Sequence, residues 1–265
     1  MRNIVICFLA IIIGTLSARD QLTLPKPTGP YAIGTKAIEY TDKNRTQFRG
    51  SGERRWMVQA WYPIDAQDAA VAPPYYMPGT LHEGRISNSN VQVFAHATPN
   101  APLAHAAQPF PLAVFQPGYG GERQAYTIVC EDLASNGFVV LSLDEPYNAN
   151  YVRFPDGTTI VPTLYDVWKI PRDRDYRYSW YAAAMDMCMG DITYMIDHLS
   201  ELSAHEFDNR LDTKKIVLMG HSFGGNVAHT LGFKDPRVSV VIDIDSKITD
   251  RIDVPDNPSG KPVLF

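Results

Sequence analysis

The sequence predicts a doubly wound α/β domain, with an open, mostly parallel sheet and helices on both faces. Three observations carry this. Short apolar runs of strand length recur at 110–115, 138–144, 216–219 and 238–245. Segments with helical spacing lie between them, at 122–135, 179–202 and from 226 onward. Glycine-rich turns follow the first and third runs, at the strand ends where such sheets build their sites.

In chain order, residues 1–18 read as a secretory leader. Arg2 precedes a short apolar run, and Thr15-Leu16-Ser17-Ala18 closes it with small and polar residues. Secretion, extracellular or periplasmic, is the expected localisation, and 19–265 is expected to form a single domain. Removing the leader removes Cys7 and leaves Cys130 and Cys188, whose spacing does not say whether they pair. Residues 22–30 are proline-rich and read as a surface arm. Alternation of Trp56, Val58 and Ala60 predicts a strand that Pro63 stops, and 66–109 reads as loops around one or two short elements.

From 110 the pattern strengthens. A strand runs into Pro117-Gly118-Tyr119-Gly120-Gly121, and a helix over 122–135 should bury Tyr126, Val129, Cys130 and Leu133. Asn136-Gly137 closes that helix, because glycine accepts the left-handed conformation found just past helix ends. Strand, helix and strand in this order require a parallel, right-handed crossover. Residues 148–178 interrupt the rhythm with prolines and aromatics, and read as an insertion on the side of the sheet where strands end. Such an insertion could cover a pocket or touch a lipid surface, although packing onto the domain is the ordinary role of its aromatics. A long helix over 179–202 presents Cys188, Ile192, Met195, Ile196, Leu199 and Leu202 on one face. The last residues, 261–265, read as the opening of a further strand.

The totals exclude some functions. With a net charge of −5 the chain has no basic footprint for nucleic acid. No metal-ligand spacing is present and no cofactor is implied. Asn44-Arg45-Thr46 is a usable N-glycosylation sequon in a eukaryotic host.

The chemistry centres on Gly220-His221-Ser222-Phe223-Gly224. Glycines flanking Ser222 let an apolar strand turn sharply into a helix, which lifts the hydroxyl out of the sheet as a nucleophile elbow. The new helix also directs free N–H groups and its positive dipole end toward a developing oxyanion. The expected oxyanion donors are the backbone N–H groups of Phe223 and Tyr119. Acyl transfer by a serine also needs a base and a carboxylate that orients it. Asp243 and Asp245 are the acid candidates. Alternation points both to one face of their strand, and Asp245 lies nearer the strand end, where catalytic loops begin.

These pieces resemble the plasma-type platelet-activating-factor acetylhydrolases, or lipoprotein-associated phospholipases, which are secreted α/β-hydrolases. The matching residues, in family order, are Trp61-Tyr62-Pro63, the segment from Pro111 to Gly120, Asp132-Leu133-Ala134-Ser135-Asn136-Gly137-Phe138, and Gly220-His221-Ser222-Phe223-Gly224-Gly225. The resemblance implies an α/β-hydrolase fold, Ser222 as nucleophile, Asp245 as acid, Tyr119 and Phe223 at the oxyanion, and no metal. It also implies a small-molecule or lipid ester substrate, such as the acetyl ester of an ether phospholipid, with possible peripheral contact to a lipid surface. Two departures stand out. Pro117-Gly118 replaces the family's frequent His-Gly, and none of the seven histidines follows Asp245, where the family places its base. The expectation is a C-terminally incomplete member in which the last strand and histidine loop are missing. The competing expectations are a cutinase-like or general carboxylesterase, and a catalytically inactive lipid-binding fragment.

Overall fold

The computed structural model describes residues 21–48, 50–70, 92–161, 174–246 and 260–264. The leader reading falls outside these residues, as does much of the insertion.

The elements, in chain order, are β1 (Gln21–Thr23), β2 (Ala32–Thr46), β3 (Glu53–Ile64), β4 (Gln92–Phe94), β5 (Thr98–Pro99), β6 (Phe110–Gln116), α1 (Thr127–Ser135) and β7 (Val139–Leu143). They continue with β8 (Val152–Arg153), β9 (Thr159–Ile160), α2 (Arg174–Asp197), α3 (Leu199–Glu206), β10 (Leu211–His221), α4 (Phe223–Lys234), β11 (Val238–Ile244) and β12 (Val263–Leu264). The central sheet has the order β12-β11-β10-β6-β7-β3-β2-β5. From β12 to β7 all neighbours run parallel, whereas β3 runs antiparallel to both β7 and β2.

Alternate side chains of the central strands sort into two cores. Leu112 and Val114 of β6 join Leu141 and Leu143 of β7 on the face covered by Cys188 and Ile192 of α2 and by Val227 and Ala228 of α4. Ala113 and Phe115 join Val140 and Met219 on the face covered by Cys130 and Ala134 of α1. Helices on both faces explain why these strands read as continuous apolar runs. Each fully buried large aliphatic side chain contributes about 1.5–3 kcal/mol by leaving water, so Ile192→Ala should cost about 2–5 kcal/mol once the cavity is included. Cys130 and Cys188 are buried and free, and they lie in different cores with the sheet between them, so they do not pair with each other.

Several boundaries differ from the sequence reading. β3 continues through Pro63 to Ile64, because its pairing with β7 ends at Trp61 and the proline lacks an N–H only where no second neighbour needs one. The first crossover helix starts at Thr127 rather than 122. Its buried face is Thr127, Cys130, Glu131 and Ala134, while Val129 is 37 % exposed. Glu131 faces inward because its carboxylate accepts the N–H groups of His96 and Ala97, both at 2.8 Å. The long helix starts at Arg174, inside the expected insertion, and breaks at His198 into α2 and α3. Its six expected apolar positions are all buried.

Candidate active site

The register of β6 against β10 sets Gly220 opposite Gln116, and β11 pairs with the other edge of β10, so three parallel strands end together. The glycine-rich turn after β6, the elbow after β10 and the loop after β11 therefore open at one place. This is the carboxyl-end crevice in which open α/β sheets hold their sites.

Ser222 occupies φ 53° and ψ −116°, a positive-φ conformation that a non-glycine residue rarely adopts. Such a residue stores about 1–3 kcal/mol and persists only where its surroundings fix it. The surroundings are backbone. A Cβ on Gly220 would lie 2.2 Å from the Gly224 carbonyl oxygen, and one on Gly224 would lie 2.0 Å from that of Gln116. Neither glycine has a positive φ; both are required by close approach rather than by conformation. The Ser222 N–H donates to the Ile244 carbonyl at 2.8 Å, and the Ser222 carbonyl accepts the Asn226 N–H at 3.2 Å, which begins α4. Phe223 thus stands in the first turn of α4, ahead of the first such bond, where N–H groups have no partner within the helix.

Tyr119 sits in a tight turn closed by the Gly121 N–H on the Gly118 carbonyl at 2.8 Å. Its ring stands edge-on to Trp180 at 5.4 Å and to Phe223 at 6.3 Å, and Phe223 meets Tyr181 at 5.0 Å. The structure therefore brings the two expected oxyanion residues side by side, beneath aromatic side chains from α2. Asn226 ties this group together, its amide donating to the Tyr181 hydroxyl at 2.7 Å.

Asp243 and Asp245 separate. Asp243, within β11, is buried; its carboxylate accepts the Ser246 hydroxyl at 2.5 Å and meets His229 Nδ1 at 3.3 Å. Asp245 lies one residue past the strand at φ 52° and is exposed. It directly follows Ile244, the residue whose carbonyl holds Ser222. Alternation along a strand could not separate the two, because the strand ends between them.

The histidines have other partners. His221 points away from its neighbour Ser222, its Nδ1 bonded to the Tyr126 hydroxyl at 2.7 Å, and the same hydroxyl accepts the Gly118 N–H at 3.3 Å. Burial pushes the Tyr126 hydroxyl above its ordinary pKa, which keeps it neutral in this role. His198 Nδ1 donates to the Tyr194 carbonyl at 2.8 Å, His105 meets Asp65 at 2.6 Å, and His96 bonds the Leu24 carbonyl at 2.9 Å. His205 lies in the last turn of α3, lining a pocket with Tyr40, Tyr194 and His198, and His82 lies outside the described residues. Among the described residues no group of three or more His, Cys, Asp or Glu is arranged to hold a metal.

Sequence reasoning missed two supports of this site. Tyr126 was expected only to fill the core, yet it bridges the glycine-rich turn and the elbow. Arg123 was not singled out; its N–H donates to Asp144 Oδ1 at 2.5 Å and its guanidinium pairs with the same carboxylate. The available signal was Asp144-Glu145, two acids placed directly after an apolar strand.

The sheet order, the crossovers and the strained serine between β10 and α4 define an α/β-hydrolase. The profile of the platelet-activating factor acetylhydrolase, isoform II family matches residues 16–150, just over half of the chain, and the chain belongs to that family. It is 23 % identical over 275 residues to a probable 1-alkyl-2-acetylglycerophosphocholine esterase of Arthroderma benhamiae, covering 92 % of this chain and 64 % of that protein. It is 25 % identical over 263 residues to the platelet-activating factor acetylhydrolase of Cavia porcellus, covering 87 % of this chain and 57 % of the relative. A solved ferulic acid esterase from Streptomyces cinnamoneus superposes with a TM-score of 0.71 at 28 % identity, covering 91 % of this chain and 66 % of that one. The chain thus spans less than two thirds of the length of these relatives. No helix among the described residues is long and apolar enough to cross a membrane.

Proposed function

We propose that the chain carries the nucleophile and oxyanion portion of a secreted serine esterase that hydrolyses short acyl esters of phospholipids, such as platelet-activating factor. The observation that carries this reading is the strained Ser222 at φ 53°, packed among glycines that leave its position no freedom. Ser222 Oγ attacks the ester carbonyl carbon, and the carbonyl electrons move to oxygen. The Phe223 and Tyr119 N–H groups stabilise the resulting oxyanion. Collapse expels the lyso-lipid alcohol and leaves an acyl-enzyme, which water hydrolyses. Asp245 orients the base that takes the serine proton. Of the described histidines, His221 is held by Tyr126 and His229 meets Asp243, so neither is assigned as that base.

Family membership supports the substrate class, and the leader-like residues 1–18 support the secreted location. A second reading, a general carboxylesterase for aromatic esters, draws support from the 28 % identity to a ferulic acid esterase over 91 % of the chain. The test is hydrolysis of p-nitrophenyl acetate and labelling by a fluorophosphonate, each compared with Ser222→Ala. Labelling and turnover should disappear in the variant. Equal rates and no labelling in a folded chain would refute the reading and favour a non-catalytic lipid-binding role. Relative rates on a short-chain acetyl phospholipid and on methyl ferulate separate the two esterase readings.

A further inference from the structure

The least expected group in the core is Arg54 of β3, whose side chain is 0 % exposed. Its Nε lies 3.1 and 3.2 Å from the two carboxylate oxygens of Asp191 in α2, its Nη1 donates to Gln47 Oε1 at 3.1 Å, and its Nη2 pairs with both Asp191 and Glu145. Arg45 adds a second cation on Asp191 at 2.9 Å. Burying such charges is costly, and replacing them with apolar groups is often neutral for stability. Their presence in the core therefore calls for a reason beyond holding it together.

The reason is visible in what Glu145 carries. Its carbonyl accepts the N–H groups of Asn148 at 2.9 Å and Ala149 at 2.7 Å, closing a turn in which Tyr147 is held at φ 72°. Ala149 forms a bridge to Gly120, and the Asn150 N–H donates to the Gly120 carbonyl at 3.1 Å. Gly120 directly follows Tyr119. The far side of the same loop is held by Arg123 on Asp144, the residue before Glu145. Both ends of the loop are thus fastened to the carboxyl end of β7. Arg54 fixes that end to β3 and to α2, the helix whose Trp180 and Tyr181 contact Tyr119 and Phe223.

We propose that Arg54, Glu145 and Asp191 form a buried brace that positions the oxyanion loop, with Glu145 as a positioning residue acting through the 145–150 turn on the Tyr119 N–H. This rests on the esterase reading for its consequence in turnover, but its geometric content is independent of it. Burial pushes the Glu145 carboxyl up to about 8 against the pull of Arg54, with Asp191 adding to the rise.

The test is Glu145→Gln in the full chain at pH 9, above the Glu145 pKa of about 8, where the substitution keeps the size and an acceptor for Arg54 while removing a charge. Amide hydrogen exchange read by mass spectrometry should show peptides spanning 118–123 and 148–150 exchanging at least about tenfold faster, with 216–221 and 223–234 unchanged. Where turnover is measurable, kcat should fall about 10–100-fold with KM within about twofold, because the loop donor acts in the transition state and small misplacements are expensive there. Should the glutamine variant not fold, Glu145→Asp keeps the charge but shortens its reach, and the same local loosening is expected. Wild-type exchange in the loop of a folded variant would overturn the inference, as would uniform acceleration of all four peptides, which marks a purely structural role. A wild-type chain without Ser222-dependent turnover would sink the esterase reading but leave the exchange result standing.

Discussion

Replacing Gly224 by alanine offers a direct test of the idea that backbone crowding holds Ser222 in its positive-φ conformation. The added Cβ would meet the Gln116 carbonyl oxygen at 2.0 Å and that of Pro117 at 2.5 Å. Both obstacles are main chain at the end of β6, so no side chain can swing aside. Restoring an ordinary contact requires α4 and β6 to separate by roughly 1 Å at the point where Phe223 and Tyr119 face each other, and misplacement on that scale costs about 10²-fold in rate. Overpacking adds about 1–3 kcal/mol of destabilisation, and each kcal/mol lowers Tm by about 2–4 °C in a domain of this size. The assay pairs thermal unfolding by circular dichroism with p-nitrophenyl acetate kinetics. Gly157→Ala is the control. Gly157 lies in the turn between β8 and β9 at φ 88° with open space around it, so alanine there should cost about 1 kcal/mol of backbone strain and leave turnover intact. If Gly224→Ala matched the wild type in both stability and turnover, close packing would not be what fixes the elbow.

Other outcomes follow from the same geometry. Asp245→Asn should lower Ser222-dependent turnover by about 10²-fold or more without moving Tm, whereas Asp243→Ala should cost about 1–3 kcal/mol in urea unfolding, because it strips His229 and Ser246 of a buried partner. Glu145 binds a proton more tightly folded than unfolded, so its contribution to stability is present in full below about pH 4.5 and is lost as pH rises toward about 8. The groups facing it are Arg54 from β3 and Asp191 and Cys188 from α2, and buried Asp144 shifts in the same direction. Urea unfolding at pH 5 and pH 8 should accordingly show a steeper loss of stability for the wild type than for Glu145→Gln. Burial pushes both the Cys130 and the Cys188 thiol above the ordinary range, so Ellman's reagent at pH 8 should leave both unmodified until the chain unfolds.

Much of this protein was legible in its sequence. Apolar runs of strand length located β6, β7, β10 and β11, and the spacing of Cys188, Ile192, Met195 and Ile196 located the buried face of α2. These signals are local: burial on both faces of a strand, or on one stripe of a helix, is written in residues a few positions apart. Glycines 220 and 224 marked the elbow for the same reason, although what they avoid, the carbonyls of Gly224 and Gln116, became evident only with β6 laid beside β10. Glu131 points inward because its backbone partners at 96 and 97 come from a distant stretch of chain; of the expected face of this helix only Val129 turns to solvent, while Tyr126, Cys130 and Leu133 pack on the core. Asp243 and Asp245 were equivalent by alternation, and only the end of β11 between them assigned one to the core and the other to the open loop. The brace around Arg54 was wholly illegible. Its members at 45, 47, 54, 145 and 191 share no spacing, and an arginine in an otherwise alternating strand ordinarily reads as a solvent-facing residue. Sequence periodicity reports how a segment meets its own core; which charges meet inside that core is decided by the order of strands in the sheet, and that order exists only once the chain has folded.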